Sequence, residues 1–552
     1  MSRWIIQTMT CYKEHKMVLE KTEIMYVATL PREEKQSILE ENDFNKQDNR
    51  DENFRKIISD RFLEFSRSTS IHGFKYLGVR KGYTIEKVWW IFVLSICIYL
   101  CTHFTIQTLK KREENPVFIS FRQSPMHLWD IPFPAVTICP VSKIKASKYN
   151  FTKYATRHKE ANLTDEELKR FLDIGLFCKP EYNCASSQYE KIQHSLSEEA
   201  VEYFIKQSVT IDDIFGFCKT NKKNYSCNHF FSPILTSAGL CFSFNMLDRT
   251  ELFHNIMSIP ADHVIHKKTR HWTADNNYEK TINYTVPFRI TSINDGLYFG
   301  LHTNKSDIDE QCETNRGYRV ILHHPAEVPT LSQRYTLLSS DQNYRFWIKP
   351  DIITTSTNLQ DYDPHKRGCY FAHEKKLKFY KVYTEPNCRQ ECVSNYTIKI
   401  CGCSLFYTPH EKSSRICGHS DMLCVHIVKE KLLTIEMKFE ILEDNPTFTN
   451  EQWTEGCDCL PACTSIAYNA EIVPEQVLTS ANNGVISSTV YMTFKDSSFI
   501  TMERNELFSN ADFWASCGGL FGLFTGFSVV SLSEIIYFST IKWICNLWKN
   551  RK

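Results

Sequence analysis

Four residues near the C-terminus form a regular row that could serve ion movement. Gly518, Gly522 and Gly526 are spaced four residues apart, and Glu534 continues the row. On an α-helix this spacing places them on one face. Such a face lets helices pack closely, but unwound glycine backbone in a membrane can also expose carbonyl oxygens that replace part of a cation's hydration shell. A carboxylate inside a membrane is costly unless it faces water or a partner, so Glu534 favours a pore-lining row.

Two apolar segments are long enough to hold such a row in a membrane. Residues 88–109 contain no Asp, Glu, Lys or Arg, and as a helix they would extend about 33 Å, against a hydrocarbon core of about 30 Å. The second segment, 513–541, is interrupted only by Glu534 and ends before Lys542. Burial inside a soluble protein is the alternative, but runs of this length are typical of spanning helices.

These two segments divide the chain into five parts. Polar residues break up the short apolar stretch at the N-terminus, so no cleavable signal peptide is predicted and the first segment must act as the insertion signal. The predicted parts are a cytosolic segment at 1–87, a transmembrane helix at 88–109, an extracellular domain at 110–512, a second transmembrane helix at 513–541 and a cytosolic tail at 542–552.

Cysteines and glycosylation motifs indicate the side of the membrane on which residues 110–512 lie. Seventeen of the 22 cysteines fall there, which favours an oxidising compartment and a disulfide framework. Zinc is the alternative for the close pairs, but CGC and CDC lack the spacing of a zinc knuckle. The six Asn-x-Ser/Thr acceptors all lie in the same region, at Asn150, Asn162, Asn224, Asn283, Asn304 and Asn395. The region is therefore predicted to be extracellular, with both termini cytosolic at a plasma membrane, although the Lys/Arg distribution supports this orientation only weakly.

Composition and motifs argue against several other classes of protein. The formal net charge is +1, which argues against a nucleic-acid partner. The sequence contains no G-x-S-x-G, H-E-x-x-H or Walker motif, so no enzymatic activity, metal site or cofactor is predicted. Lone histidines such as His263 and His323 are more often structural than catalytic.

The region between the apolar segments mixes strands and helices. Segments rich in aromatic and β-branched residues predict strands at IPFPAVTICP, LCFSFNM, YRFWIKPDIITTS, IAYNAEIV and VISSTVYMTF. Helices are predicted at LTDEELKRFLDIGLF and CVHIVKEKLLTIEMKFEILED, the first with capping-box spacing between Thr164 and Glu167. The predicted fold class is a membrane protein in which two transmembrane helices flank a large disulfide-rich α+β extracellular domain.

A set of motifs in a fixed order adds a family resemblance. The set comprises SIHG before the first apolar segment, FPAVTICP after it, GLCFSFN, RGCYF, the pattern C-x₃-C-x₈-C-x-C from Cys388 to Cys403, CDCLPACTSIAYNAEI, and GGLFGLFTGFS followed by Glu534. With these motifs the chain resembles the degenerin/epithelial sodium channel family, and its pickpocket-like branch in particular, over nearly its whole length after about residue 60.

The resemblance implies a function and its site residues. Members of the family form trimeric, sodium-permeable and usually amiloride-sensitive channels, so we expect a homotrimer, or a heterotrimer with related subunits, in a lipid bilayer with sodium as the permeant ion. His72 and Gly73 match the family's cytosolic gating dipeptide, and Ala515 matches its degenerin position beside the gate. The G-x-S selectivity filter is matched by Gly526, Phe527 and Ser528.

The same resemblance implies how most of the extracellular cysteines pair. The implied disulfides are Cys139–Cys241, Cys218–Cys227, Cys369–Cys463, Cys388–Cys459, Cys392–Cys457, Cys401–Cys424 and Cys403–Cys417. Of the remaining three, Cys178 is expected to pair with Cys184, and Cys312 is left without an assignment.

Two residues depart from the family pattern. Ser516 stands where many relatives carry an acidic residue at the outer mouth. Ion binding or block at this mouth is therefore expected to differ from that in these relatives. Arg367 replaces an aromatic residue of acid-sensing members, two positions before the first thumb cysteine. Acid gating is therefore not expected, and mechanical and chemical stimuli stay open.

A non-conducting two-span receptor or adhesion protein is the main alternative. It would share the disulfides, glycosylation motifs and spans, but it has no need for Gly526, Ser528 and Glu534 on a small-residue helix. Two-span trimeric channels gated by extracellular nucleotide would require a Lys/Arg cluster for phosphates, and the order of the cysteine motifs does not favour them. An ectoenzyme is less favoured still.

Overall fold

The computed structural model describes residues 60–545 except 61, 80–82, 115, 161–162, 179–194, 221–222, 255–256, 259–286, 313–315, 331–334, 412, 443–455, 476–484 and 543. Asn162, Cys184, His263 and Asn283 therefore lie outside the described residues. The chain forms two compact units. The helical unit comprises Met1–Glu114 and Phe508–Lys552, and the sheet unit comprises Asn115–Leu507.

The bounds of the secondary-structure elements follow in chain order. The helices are α1 Phe74–Leu77, α2 Thr84–Glu114, α3 Phe151–Lys159, α4 Asp165–Cys178, α5 Glu198–Gln207, α6 Ile211–Ile214, α7 Cys227–Phe230, α8 Arg249–Leu252, α9 Pro364–Arg367, α10 Glu385–Cys401, α11 Met422–Leu442, α12 Asn510–Thr525 and α13 Val529–Ile536. The strands are β1 Val117–Phe121, β2 Met126–His127, β3 Ala135–Pro140, β4 Phe215–Thr220, β5 Lys223–Tyr225, β6 Phe231–Thr236, β7 Gly239–Phe244, β8 Met257–Ser258, β9 Leu297–Asn304, β10 Tyr318–His323, β11 Tyr335–Leu338, β12 Asn343–Thr355, β13 His410–Glu411, β14 Ser465–Glu475, β15 Val485–Phe494, β16 Ser498–Phe499 and β17 Met502–Glu506.

Two β-sheets form the centre of the sheet unit. The larger sheet has eight strands in the order β1-β17-β12-β15-β9-β4-β5, with β14 also paired to β12. The smaller sheet has five strands in the order β11-β10-β3-β7-β6. β12 runs parallel to β15 and β17 and antiparallel to β14, so one long strand joins parts of the sheet that are distant in sequence.

Alternating burial explains how these strands build a core. In β12 every second residue from Tyr344 to Ile352 is buried, as expected for a strand with one face against the core. Side chains from both sheets join one cluster, in which Phe133 meets Phe244 and Phe494 edge to face with ring centroids 6.3 and 5.5 Å apart. The aromatic segments predicted as strands are confirmed as β3, β7, β12, β14 and β15.

The two predicted helices of this unit are confirmed as α4 and α11. The capping box predicted at the start of α4 is present: the Glu167 N–H donates to Thr164 Oγ1 at 3.3 Å, and the Thr164 N–H donates to Glu167 Oε2 at 3.0 Å. Local sequence signals therefore fix where this helix begins.

Eight disulfides cross-link the described part of the sheet unit. Seven join the pairs implied by the family resemblance: Cys139–Cys241, Cys218–Cys227, Cys369–Cys463, Cys388–Cys459, Cys392–Cys457, Cys401–Cys424 and Cys403–Cys417. The eighth joins Cys178 to Cys312, so the predicted pairing of Cys178 with Cys184 is wrong. Cys178 and Cys312 are buried in one hydrophobic cluster although they are 134 residues apart, and this tertiary packing outweighs the sequence proximity of Cys184.

Among the described residues of the helical unit, one helix is by itself long and apolar enough to cross a membrane. This is α2, which has 31 residues and contains an 18-residue stretch with a mean hydropathy of 1.8. Its hydroxyl groups bond to carbonyls one turn earlier, as Ser95 does to Ile91 and Thr105 to Cys101, each at 2.8 Å, which satisfies them in apolar surroundings. A second candidate is the pair of α12 with α13 and the π-helical turn Tyr537–Ile541, whose two parts are bent by 72°.

Candidate functional site

The break between α12 and α13 consists of the predicted filter tripeptide. Gly526 has a φ of 65°, a left-handed conformation that glycine adopts at low cost, and its N–H donates to the Gly522 carbonyl at 3.0 Å. Ser528 is the N-cap of α13, where its hydroxyl accepts from the Ser531 N–H at 3.3 Å. One helix therefore ends at Gly526 and the next begins after Ser528, with Phe527 between them.

The predicted gating dipeptide lies directly against this break. The His72 N–H donates to the carbonyl of Thr525, the last residue of α12, at 2.9 Å. A Cβ atom placed on Gly526 would lie only 2.6 Å from the His72 ring. Position 526 therefore needs glycine both for its backbone conformation and for the close approach of His72.

Gly73 lies at the end of the same loop and is close to α2. It has a φ of 84°, and a Cβ atom placed on it would lie 2.9 Å from the side chain of Leu94 in α2. The short helix α1 follows, and its Tyr76 stacks on Trp90 of α2 with ring centroids 4.2 Å apart. The loop is thus held between α2 and the break.

The Glu534 carboxylate binds this loop. Its Oε2 accepts from the Ser70 N–H at 2.9 Å, from Thr69 Oγ1 at 3.1 Å and from Ser70 Oγ at 3.2 Å. The Ser70 hydroxyl also contacts that of Ser531, which is fully buried, at 2.7 Å. A carboxylate in an apolar segment is thereby paired with donors, as such groups require. The loop of residues 69–73, with Ser531 and Glu534, is called the loop latch below.

Two further contacts tie the segment before the loop to the end of the second apolar helix pair. Lys542 forms an ion pair with Glu64. The Phe65 ring meets that of Phe538 edge to face, with centroids 5.6 Å apart. The residues that precede the loop are therefore attached at the same end as Glu534.

We expect the contacts of the loop latch to act as one unit. Ser70→Ala should lower current per surface channel by about fivefold, because it removes a hydroxyl contact of about 1 kcal/mol that holds the loop at the break. Glu534→Ala should lower the current further, because it removes all three bonds to the loop. The double variant should lose little more than Glu534→Ala alone. Whole-cell current normalised to surface biotinylation measures this. The control is Ser68→Ala, whose hydroxyl bonds to the Glu64 carbonyl inside its own helix, and losses that multiply in the double variant would contradict the latch.

The row of small residues in α12 is open in the single chain. Ala515 and Gly518 are exposed, and Cβ atoms placed on Gly518, Gly519 or Gly522 would meet nothing within 4 Å. Open space beside glycines in an apolar helix allows another helix to approach closely. The pore-lining role of Gly518, Gly522 and Glu534 stays a prediction.

The opposite face of α12 packs against α2. Cys517 is 4% exposed, and the Phe524 ring stacks with Phe104 of α2 at 5.9 Å. At the start of α12, Arg112 donates to the Asn510 side chain at 2.7 Å and lies over the Phe513 ring. Cys517 and Phe524 are therefore packed within the subunit, whereas Trp514 and Leu523 are exposed together with the small residues of the open face.

Arg367, which departs from the family pattern, has a buried side chain that forms its contacts within the sheet unit. It is 2% exposed, and its Nη1 donates to the carbonyls of Gln360 at 3.1 Å and Tyr362 at 2.8 Å. It also pairs with Glu374 and lies over the Phe371 ring, 4.5 Å from the centroid. These contacts give Arg367 a structural role within the loop that it anchors.

Replacing Arg367 with methionine should lower the free energy of unfolding by about 3 kcal/mol, because it leaves Glu374 and several carbonyls without their cation. The neighbouring Lys366 is exposed, so Lys366→Met should change stability by less than about 0.5 kcal/mol. Thermal unfolding of the purified full-length variants measures both. Equal midpoints for Arg367→Met and wild type would contradict this role.

Four of the six predicted glycosylation sites lie on described residues, and all four are exposed: Asn150, Asn224, Asn304 and Asn395. Asn150 and Asn304 also cap helical turns through their side-chain oxygens. Exposure is compatible with glycan attachment, which stays a prediction for all six positions.

The histidine and cysteine clusters have structural contacts in the described part of the chain. His323 is buried, its Nε2 lies 2.8 Å from Thr137 Oγ1, and burial lowers its pKa to about 4. Cys403, Cys417 and Asp421 are close enough to suggest a metal site, but the two sulfurs are joined in a disulfide. The sequence does not identify Thr69 or Ser70 as partners of Glu534; the available signal is the run of hydroxyl residues before His72.

Several known proteins are similar in sequence to this chain. A family described as amiloride-sensitive sodium channel matches residues 65–538. Pickpocket protein 28 of Drosophila melanogaster is 23% identical over 518 residues, covering 89% of this chain and 80% of the relative. Pickpocket protein 11 of the same organism is 23% identical over 513 residues, covering 89% and 79%. Acid-sensing ion channel 2 of Homo sapiens is 21% identical over 514 residues, covering 85% and 84%.

Proposed function

The chain belongs to the amiloride-sensitive sodium channel family, a family of ion channels and not of enzymes, and we propose that it is a subunit of a trimeric, amiloride-sensitive sodium channel of the plasma membrane. The proposed assembly is a homotrimer or a heterotrimer with related subunits. The proposed stimulus is extracellular and either chemical or mechanical.

The observation that carries this proposal is the 72° break at Gly526, Phe527 and Ser528. A membrane helix is interrupted only where its freed backbone faces protein or water. When three subunits surround an axis, carbonyl and hydroxyl oxygens at this break could replace part of the hydration shell of sodium. The open face with Ala515, Gly518 and Gly522 would let the three α12 helices approach one another above it.

The loop latch supports a role for His72 and Gly73 in gating. The loop contacts the break through His72 and the following helix through Glu534. Any movement of the loop would therefore change the backbone of the proposed filter or the start of α13. In this proposal the Glu534 carboxylate positions the loop, and its negative charge also attracts cations at the cytosolic mouth.

The proposed topology has two spans, α2 and the bent pair α12–α13, with both termini cytosolic. Terminal tags should be inaccessible in intact cells, and glycosidase treatment should lower the apparent mass because the acceptors lie between the spans. Antibody labelling of either terminus on intact cells would contradict this topology.

A non-conducting receptor with two spans is the alternative function. It accounts for the disulfides and the membrane helices equally well. It gives no reason for a left-handed glycine with the His72 ring packed against it in the middle of the second apolar segment.

The decisive experiment is whole-cell recording from cells that express this subunit alone and with related subunits. We expect an inward cation current whose reversal potential follows sodium and which amiloride blocks. A matched subunit carrying Ser528→Trp should reach the surface without conducting, because three large side chains would meet at the axis. Absence of cation current in every combination, despite normal surface biotinylation, would favour the receptor alternative.

A further inference from the structure

A cavity in the sheet unit lies between helices α10 and α11. Its volume is about 1110 Å³, slightly larger than the roughly 300–1,000 Å³ of typical small-molecule sites. Its apolar lining includes Leu176, Leu405, Val425 and Leu432, each at most 5% exposed. Half-exposed Met422 lies at its edge. These buried residues give the cavity an apolar floor, and the exposed residues Lys429 and Leu433 mark the side on which it opens to solvent.

Disulfides hold the walls of this cavity in place. Cys401 at the end of α10 is joined to Cys424 at the start of α11, and Cys403 is joined to Cys417, which itself lines the cavity. The Cys401–Cys424 disulfide fixes the separation of the two helices at this end of the cavity. This end of the cavity is therefore held by covalent bonds.

One charged group of the lining, Lys429, is placed to bind an anion. Arg389 donates to Glu436 at 2.8 Å and to Glu385 at 3.0 Å, so the carboxylate of Glu436 is already paired. Lys429 contacts the neutral hydroxyl of Tyr407 at 3.3 Å and is exposed. His426 lies one turn before Lys429 on α11 and also lines the cavity. The rim can therefore accept one negative head group at Lys429.

From this complementarity we propose that the cavity binds an extracellular aliphatic monocarboxylate, with its chain against Leu405, Val425 and Leu432 and its carboxylate at Lys429. The apolar wall excludes inorganic anions and hydrophilic metabolites, because they would lose hydration without replacement. Each methylene buried against the wall should raise affinity roughly fourfold, so chain length governs binding more than the head group does. Occupancy would act as a chemical stimulus or modulator of the proposed channel.

The experiment uses photoaffinity labelling of the full-length protein in cell membranes with a diazirine analogue of decanoate. Mass spectrometry should find the label in peptides that contain residues 405–408 and 422–433. Unmodified decanoate should compete at least tenfold better than octanoate, and better than decanol. Lipid-soluble probes also label the apolar helices, and the amount of that label serves as an internal reference.

Paired variants test where the aliphatic chain and the carboxylate of the ligand bind. Val425→Trp fills the cavity and should reduce labelling of these peptides at least tenfold, and Met422→Trp tests the same point at the less buried edge. Ile427→Trp is the control, because Ile427 is exposed and does not line the cavity. Lys429→Gln should weaken competition by decanoate about threefold, as expected for an exposed ion pair, and Lys431→Gln should not.

The outcomes separate the proposal from its alternatives. Absence of label at 405–408 and 422–433, or label that persists in both tryptophan variants, would overturn the site. Equal competition by decyltrimethylammonium would overturn the assignment of an anionic ligand. Because labelling needs no current, its failure is distinguishable from a failure of the channel function proposed above.

Discussion

Replacing Ala515 with phenylalanine should give a channel that reaches the cell surface and conducts without any stimulus. Ala515 is exposed in the single chain, so a larger side chain is not excluded by its own subunit. In a trimer it would meet the neighbouring α12 helices, and most strongly when they are closest together. A penalty of about 3 kcal/mol on the closed state alone would shift the ratio of open to closed channels by roughly a hundredfold.

The test of this prediction is current recorded without stimulus, together with surface biotinylation and cell viability. Ala515→Val should give an intermediate current, and Ala515→Gly, which adds no volume, should give none. At a static helix interface the same substitutions would instead reduce the amount of protein. Normal surface levels of Ala515→Phe without added current, in a combination that otherwise conducts, would rule out Ala515 as a residue beside the gate.

Replacing Gly526 with alanine should abolish conduction or change the preference for sodium over potassium. An alanine at a φ of 65° costs about 1–2 kcal/mol, and its Cβ would overlap the His72 ring, which lies 2.6 Å away. The strain can be relieved only by moving the loop or the break, and both belong to the proposed filter and gate.

Matched substitutions separate these two causes. Gly522→Ala adds the same methyl group one turn earlier, where nothing lies within 4 Å in the subunit, so surface expression should be retained. Gly526→Ala combined with His72→Ala removes the overlap and should recover part of the current, while the backbone cost remains. Reversal potentials and current amplitudes measure the result. If Gly526→Ala alone matches wild type in both, the tripeptide is not the filter.

The sequence predicts those features that depend on local patterns. Alternating burial in β12 and the capping box of α4 are visible in a few consecutive residues. The glycine and the capping serine at the helix break are recognisable for the same reason, because Gly526 can end a helix and Ser528 can begin one. Seven disulfides followed from the family resemblance, which supplies tertiary information that spacing alone does not contain.

The remaining features depend on contacts between distant segments. Glu534 and Thr69 are 465 residues apart, and only the packing of the assembled helices brings the carboxylate to the loop. Cys178 and Cys312 meet for the same reason, because both are buried in one cluster. The inward direction of Arg367 depends on carbonyls of a loop whose shape the sequence does not reveal. Contacts over such sequence distances depend on how the whole chain folds.

The pairing of β1 with β17 also determines when the larger sheet can be completed during synthesis. Val117 pairs with Glu506, so about 390 residues must be made before the first strand meets its neighbour. At roughly 5–20 residues per second, β1 keeps an unpaired edge for about 20–80 s. β17 ends at Glu506 and α12 begins at Asn510, so the ribosome reaches the final apolar helices as this edge becomes covered. Folding factors that shield strand edges therefore have their longest period of action on β1, and nascent chains stalled before β17 should be the species most prone to aggregate.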